Sequence, residues 1–103
     1  MKSALSTLDA LAQESRMEIF RLLVRAGADG MPAGAIAEQL ALRQNTCSTN
    51  LAILSRADLI CARRSGRNVI YSANFTAMSA LISFLMEDCC AGALTSQTEG
   101  ACA

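Results

Sequence analysis

Apolar residues recur at helical intervals along the first half of the chain and give way to strand-like runs near Leu59. Leu5, Leu8, Leu11 and Ala12 share one face of the segment Ser3–Gln13, with small or polar residues between them, which predicts a first helix. Ser15-Arg16-Met17-Glu18 has the form of a capping box, in which the hydroxyl and the carboxylate each satisfy an orphan amide. Behind it, Ile19, Phe20, Leu22, Leu23 and Val24 make the apolar face of a second helix, which Gly27 can close in a left-handed cap. Residues 28–31 read as a loop, and Pro32 suits the first turn of a third helix, 33–40, facing the core with Ile36, Ala37 and Leu40. A short turn over 41–44 leads into a fourth helix, 45–56. There Cys47, Leu51 and Leu54 stand at i, i+4 and i+7, with Ile53 widening the stripe. Thr46, Ser48, Thr49 and Asn50 fall on its other faces. Two helices joined by a tight turn, the second with an apolar inner stripe and a hydrogen-bonding outer face, form a helix-turn-helix pattern.

Leu59–Arg64 and Asn68–Ala73 bracket Ser65-Gly66-Arg67, which predicts a β-hairpin with arginines at and beside its tip. Asn74 can cap a last helix whose apolar residues are Phe75, Met78, Leu81, Ile82, Leu85 and Met86. The uncharged stretch from Asn68 to Met86 is long enough to raise a membrane span, but its six Asn, Ser and Thr side chains would be costly in hydrocarbon. Its period also changes midway, as a strand followed by a helix requires. The predicted architecture is therefore mainly α with a β-hairpin wing (an α+β class), in the order four helices, two strands and a closing helix. Residues 1–91 form the domain, and the small, polar residues 92–103, with Cys102, are expected to be a mobile tail.

A chain of 103 residues, 52% hydrophobic, suits one compact domain, and a domain this small is often firmer as a dimer. The absence of His removes His-dependent triads and His-ligated metal sites, and no acid/base pair or open ligand set is apparent, so an enzyme is not expected. Five cysteines with no visible secretion signal point to a cytoplasmic protein with reduced thiols. Net charge is zero but unevenly spread. Residues 43–72 hold five arginines against Asp58 alone, a net of +4, and residues 73–103 a net of −3. A basic middle segment suggests a local anionic partner, with phosphate the first candidate. Gln44, Asn45, Thr46, Ser48, Thr49 and Asn50 are short enough to reach phosphates or base edges in the major groove of double-stranded DNA. Arg43, Arg63, Arg64 and Arg67 would neutralise phosphates, with Arg67 a candidate for the minor groove. The competing reading is a polar face that binds a protein partner.

In this order the motifs resemble the ArsR/SmtB-type metalloregulatory repressors, a winged helix-turn-helix family. The similarity lies in Leu8–Ala12 through Ser15–Ile19, in Leu42–Leu51 with Leu54, and in the wing Leu59–Tyr71 with Arg63-Arg64, Gly66-Arg67 and Tyr71. It extends over about residues 5–90. The chain departs from the family pattern at Ala41 and Asp58, where glycine is usual, and at Thr49-Asn50, where an Arg-His pair is frequent. Residues 31–40 contain no Cys, and the His/Asp zinc site of other members cannot exist here. What remains is similar to arsenic-responsive members with vicinal cysteines after the last helix, here Cys89-Cys90, and a further cysteine, here Cys102. The resemblance implies a homodimer through the first and last helices, burying faces such as Leu5/Leu8 and Met78/Ile82/Leu85. It further implies release of operator DNA when As(III) or Sb(III) binds the thiolates as inducer, with no organic cofactor and no membrane partner.

The chemistry of the cysteines bears on that implication. Cys47, on an apolar stripe, and Cys61, beside Ile60 in a strand, are expected to be small core residues. Neighbouring residues on a helix point about 100° apart, so chelation by both Cys89 and Cys90 needs a frayed or ended helix, which Gly92 can supply. Soft thiolates select soft, thiophilic ions. A redox-sensing repressor is the alternative use of these thiols. It would favour a lowered pKa, whereas Glu87, Asp88 and a helix C-terminus all disfavour thiolate.

Overall fold

The computed structural model describes residues 2–87, with side chains from Ala4 onward. Helix α1 (Lys2–Leu11) packs Ala10 into the core and leaves Leu5 and Leu8 exposed. Helix α2 (Glu14–Ala26) starts earlier than the capping-box reading has it. Gln13 is the N-cap, its side-chain oxygen accepting from the Arg16 amide at 3.0 Å, and Ser15 stands inside the first turn. Ile19, Phe20, Leu22 and Leu23 are buried as expected, but Val24 points outward. Gly27 closes α2 with its N–H on the Leu23 and Val24 carbonyls, at φ 71° and ψ −155°, which is not the left-handed helical conformation expected of it.

The segment read as a loop holds two elements. A 3-10 turn (Gly27–Asp29) leads to β1 (Met31–Pro32), a two-residue strand that pairs antiparallel with β3 (Asn68–Ala73). A strand this short has no periodicity to read, and Pro32, lacking an N–H, is accommodated because β1 lies at the sheet edge. Pro32 is then the extended N-cap of α3 (Ala33–Leu40) rather than a residue of its first turn. Helix α4 spans Gln44–Arg56, β2 spans Ile60–Ser65 and α5 spans Phe75–Leu85. The sheet order is β1-β3-β2, with β2 and β3 paired from Ile60↔Ala73 to Ser65↔Asn68. That register leaves a two-residue turn, Gly66-Arg67, whose first position has φ 63° at Gly66. Positive φ there is the geometry that lets a tight turn follow the strand twist.

Among the described residues, the largest fully buried side chains are Ile19 and Leu23 of α2, Ile36 of α3, Cys47, Leu51 and Leu54 of α4, and Leu59. Asn74 caps α5 as predicted, accepting from the Ala77 amide at 3.2 Å, and its Nδ2 donates to the Asp58 carbonyl at 2.9 Å. The four-helix, hairpin, closing-helix order is thus the one expected, with β1 added.

Candidate nucleic-acid interface

Helix α4 is seated by its apolar side. Cys47, Leu51 and Leu54 are at most 1% exposed, and α4 contacts both α2 and α3 along that seam. The opposite side presents Gln44, Asn45, Thr46, Ser48 and Thr49 to solvent, with Arg43 exposed at its N-cap. The Cys47 thiol donates to the Ala33 carbonyl at 3.7 Å, and burial pushes its pKa up, so it stays a protonated core group.

Asn50 does not join the outer face. It is 6% exposed, and its Oδ1 accepts from Arg16 Nη1 at 3.5 Å, while Arg16 Nε donates to the Ala10 carbonyl at 2.6 Å. The spacing contained the signal. Position 50 is i+3 from Cys47 and i−4 from Leu54, which puts it on the seam. A buried amide needs a partner, and Arg16, from the start of α2, supplies it.

The wing arginines divide. Arg64 and Arg67 are exposed near the hairpin tip. Arg63 is exposed as well, but its guanidinium reaches back to the protein, Nη1 to the Ala28 carbonyl at 3.3 Å and Nη2 to the Asp29 carbonyl at 3.0 Å. Cys61 is not a core residue. It is exposed and pairs in register with Ser72, because adjacent strand residues face opposite ways and Ile60 takes the buried side.

Cys89, Cys90 and Cys102 lie outside the described residues. Helix α5 closes at Met86, ahead of that pair and earlier than the end expected at Gly92. Among the described residues, no three His, Cys, Asp or Glu side chains come together to hold a metal ion. No helix among them is long and apolar enough to cross a membrane.

The element order, the two helices around Ala41 and the arginine-bearing hairpin decide the architecture. The fold is a winged helix-turn-helix. A family profile described as a helix-turn-helix domain matches residues 11–60, from the end of α1 to the start of β2. Several solved structures are similar over most of the chain. An ArsR-like transcriptional regulator from Rhodococcus sp. RHA1 is 23% identical, with a TM-score of 0.76 over 97% of this chain and 89% of that one. HlyU from Vibrio cholerae N16961 is 29% identical, with a TM-score of 0.68 over 86% and 94% of the two chains. The homodimeric winged helix-turn-helix DNA-binding domain of a possible ArsR-family transcriptional regulator from Mycobacterium bovis is 27% identical, with a TM-score of 0.67 over 84% and 81%. No curated protein matches the winged-helix chain by sequence.

Proposed function

We propose that this chain is an ArsR-type transcriptional repressor that binds duplex operator DNA as a homodimer and leaves it when As(III) or Sb(III) binds cysteine thiolates. The observation that carries the DNA-binding half is the two-sided character of α4. Its apolar seam is buried, while Gln44, Asn45, Thr46, Ser48 and Thr49 face solvent beside Arg43. A helix of that kind fits the major groove, with its short polar side chains on base edges and phosphates. Arg64 and Arg67 in the wing add phosphate contacts from a second element.

Dimerisation is supported by what α1 and α5 leave uncovered. Leu5 and Leu8 on α1, and Ile82, Phe84 and Leu85 on α5, are 37–58% exposed, although the two helices contact each other. An uncovered apolar surface on neighbouring helices suits a second copy. Two-fold symmetry would then space the recognition helices about 34 Å apart, one turn of DNA. The M. bovis relative is described as homodimeric, which supports a dimer here.

The inducer reading rests on thiol chemistry. Cys89 and Cys90 are adjacent and follow the end of α5, the helix assigned to the dimer interface. Soft thiolates prefer As(III) or Sb(III) to hard cations, and a strongly bound metalloid displaces the thiol protons. With Cys102 the set is three sulfurs. Drawing them together would change the angle between subunits, and a hundredfold loss of operator affinity needs only about 2.7 kcal/mol of coupling.

Fluorescence anisotropy of the reduced protein on the DNA upstream of its own coding sequence, titrated separately with arsenite, antimonite, cadmium, zinc and peroxide, tests this. Release by arsenite or antimonite alone supports the proposal. Release by peroxide alone assigns the cysteines to thiol oxidation instead, and the absence of salt-dependent binding to any duplex points to a protein-binding winged helix.

A further inference from the structure

Arg63 stands in the basic cluster of the wing, yet its guanidinium is committed to two consecutive backbone carbonyls, those of Ala28 and Asp29. The register shows the path. Pro32, Ile70 and Arg63 occupy one row across β1, β3 and β2, so Arg63 starts on one edge strand and its head meets the 3-10 turn that feeds the opposite edge. The turn is a firm anchor. Gly30 follows it at φ 68°, so close to β3 that a Cβ would collide with the Tyr71 carbonyl oxygen and lie 3.0 Å from Ile70 Cγ2. The hairpin, by contrast, is held weakly by packing. Ile60 is the one buried residue of β2 and Ala73 the one buried residue of β3, and both sit at the base. Everything from Cys61 to Val69 is exposed. The tip at Gly66 is three residues beyond Arg63, about 10 Å along a strand, so a small deflection at the base is magnified where Arg64 and Arg67 stand.

We infer that Arg63 is a positioning residue: it straps the wing to the 28–29 backbone and thereby fixes where Arg64 and Arg67 meet the nucleic acid, instead of contacting phosphate itself. A planar guanidinium with parallel donors suits two neighbouring carbonyls, whereas a Lys ammonium is a point charge without that fork. The inference rests on the DNA-binding reading for its functional consequence but not for the strap itself.

The test compares Arg63→Gln, Arg63→Lys and Arg67→Gln in DNA affinity as a function of salt and in amide hydrogen exchange of the free protein. For Arg63→Gln the expected result is roughly tenfold weaker binding, the equivalent of one charged hydrogen bond. Its dependence of log affinity on log salt stays at the wild-type slope, and exchange is faster across residues 60–73. Arg63→Lys behaves like Arg63→Gln, because charge alone does not restore the fork. Arg67→Gln is the contrast, losing about 1.8 in salt slope, the mark of one lost phosphate contact in each protomer of the dimer, with exchange unchanged. The inference is overturned if Arg63→Gln lowers the salt slope by that amount while Arg63→Lys restores affinity, or if hairpin exchange is unaltered. Should the wild-type protein bind no duplex, the DNA reading fails and the exchange data alone decide the strap.

Discussion

Ala41 and Asp58 both lie in the left-handed region, at φ 54° and 60°, and both do the same job. Each follows a helix whose last carbonyls it caps. Ala41 N–H bonds to Glu38 and Leu42 N–H to Ala37, while Asp58 N–H bonds to Ser55 and Leu59 N–H to Leu54. These are paired Schellman caps, and the hydrophobic contact that accompanies the motif is present as Leu59 on Leu54, both fully buried. The position calls for glycine, and a Cβ there costs about 1–2 kcal/mol, less for Asp, which tolerates this conformation. Ala41→Gly should therefore raise stability by roughly 0.5–1 kcal/mol after the added chain entropy of glycine, and Asp58→Gly by less. The urea midpoint, at unchanged slope, reads both. A second contrast concerns the thiols. Because burial raises the Cys47 pKa, folding favours its neutral form. Its stabilising contribution is whole below the unfolded thiol value of about 8.5 and is lost as pH rises through the folded value. Thiol labelling at neutral pH should modify Cys61 within the native state and Cys47 only on unfolding, as peptide mapping would show. Above the unfolded thiol value of about 8.5 stability should decline as pH rises, and this decline should shrink in Cys47→Ala.

At the scale of elements, α1 and α5 are only half used by the folded chain. Leu81 and Ala10 face inward, but Leu5, Leu8, Ile82 and Leu85 remain accessible. If these faces make the dimer, Leu8→Glu or Ile82→Glu places charges in an apolar interface, where an unpaired charge is strongly disfavoured. Either variant should sediment as a monomer with native helical content and lose operator binding, although neither touches α4. A dimer that persists in both would remove α1 and α5 from the interface. How far each element was legible followed the clarity of its pattern and boundaries. The spacing located α3 and β3 to the residue and α4 to within one, because each carries a regular apolar pattern, with Pro32 ahead of α3 and Gly66 and Asn74 on either side of β3. The start of α2 shifted because Gln13 and Ser15 compete to cap it, and β1 was missed because two residues carry no pattern.

For the whole molecule, the proposed signal travels from thiols after α5 to α4 through the subunit interface. Cys89→Ser/Cys90→Ser protein should bind the operator with wild-type affinity and remain bound at arsenite doses that release the wild type, measured by anisotropy. Release of the double variant at the same dose would remove that pair from sensing. The wild-type affinity should itself fall steeply with salt, since each neutralised phosphate contributes about −0.9 to the slope.

The sequence alone determined the order of the five α-helices and the hairpin, the apolar seam of α4 and the concentration of arginine between residues 43 and 72, because periodicity, turn chemistry and charge are local properties written along the chain. The tertiary structure alone decided which partners hold two of those polar residues. Asn50 and Arg63 read as surface groups by residue type, yet Arg16 arrives from α2 to hold the first and the 28–29 backbone arrives to hold the second. Cys61 read as core from its neighbours, but the strand pleat turned it outward. For Asn50 and Arg63 the deciding partner lies far away in sequence, and only folding brings it within hydrogen-bonding distance.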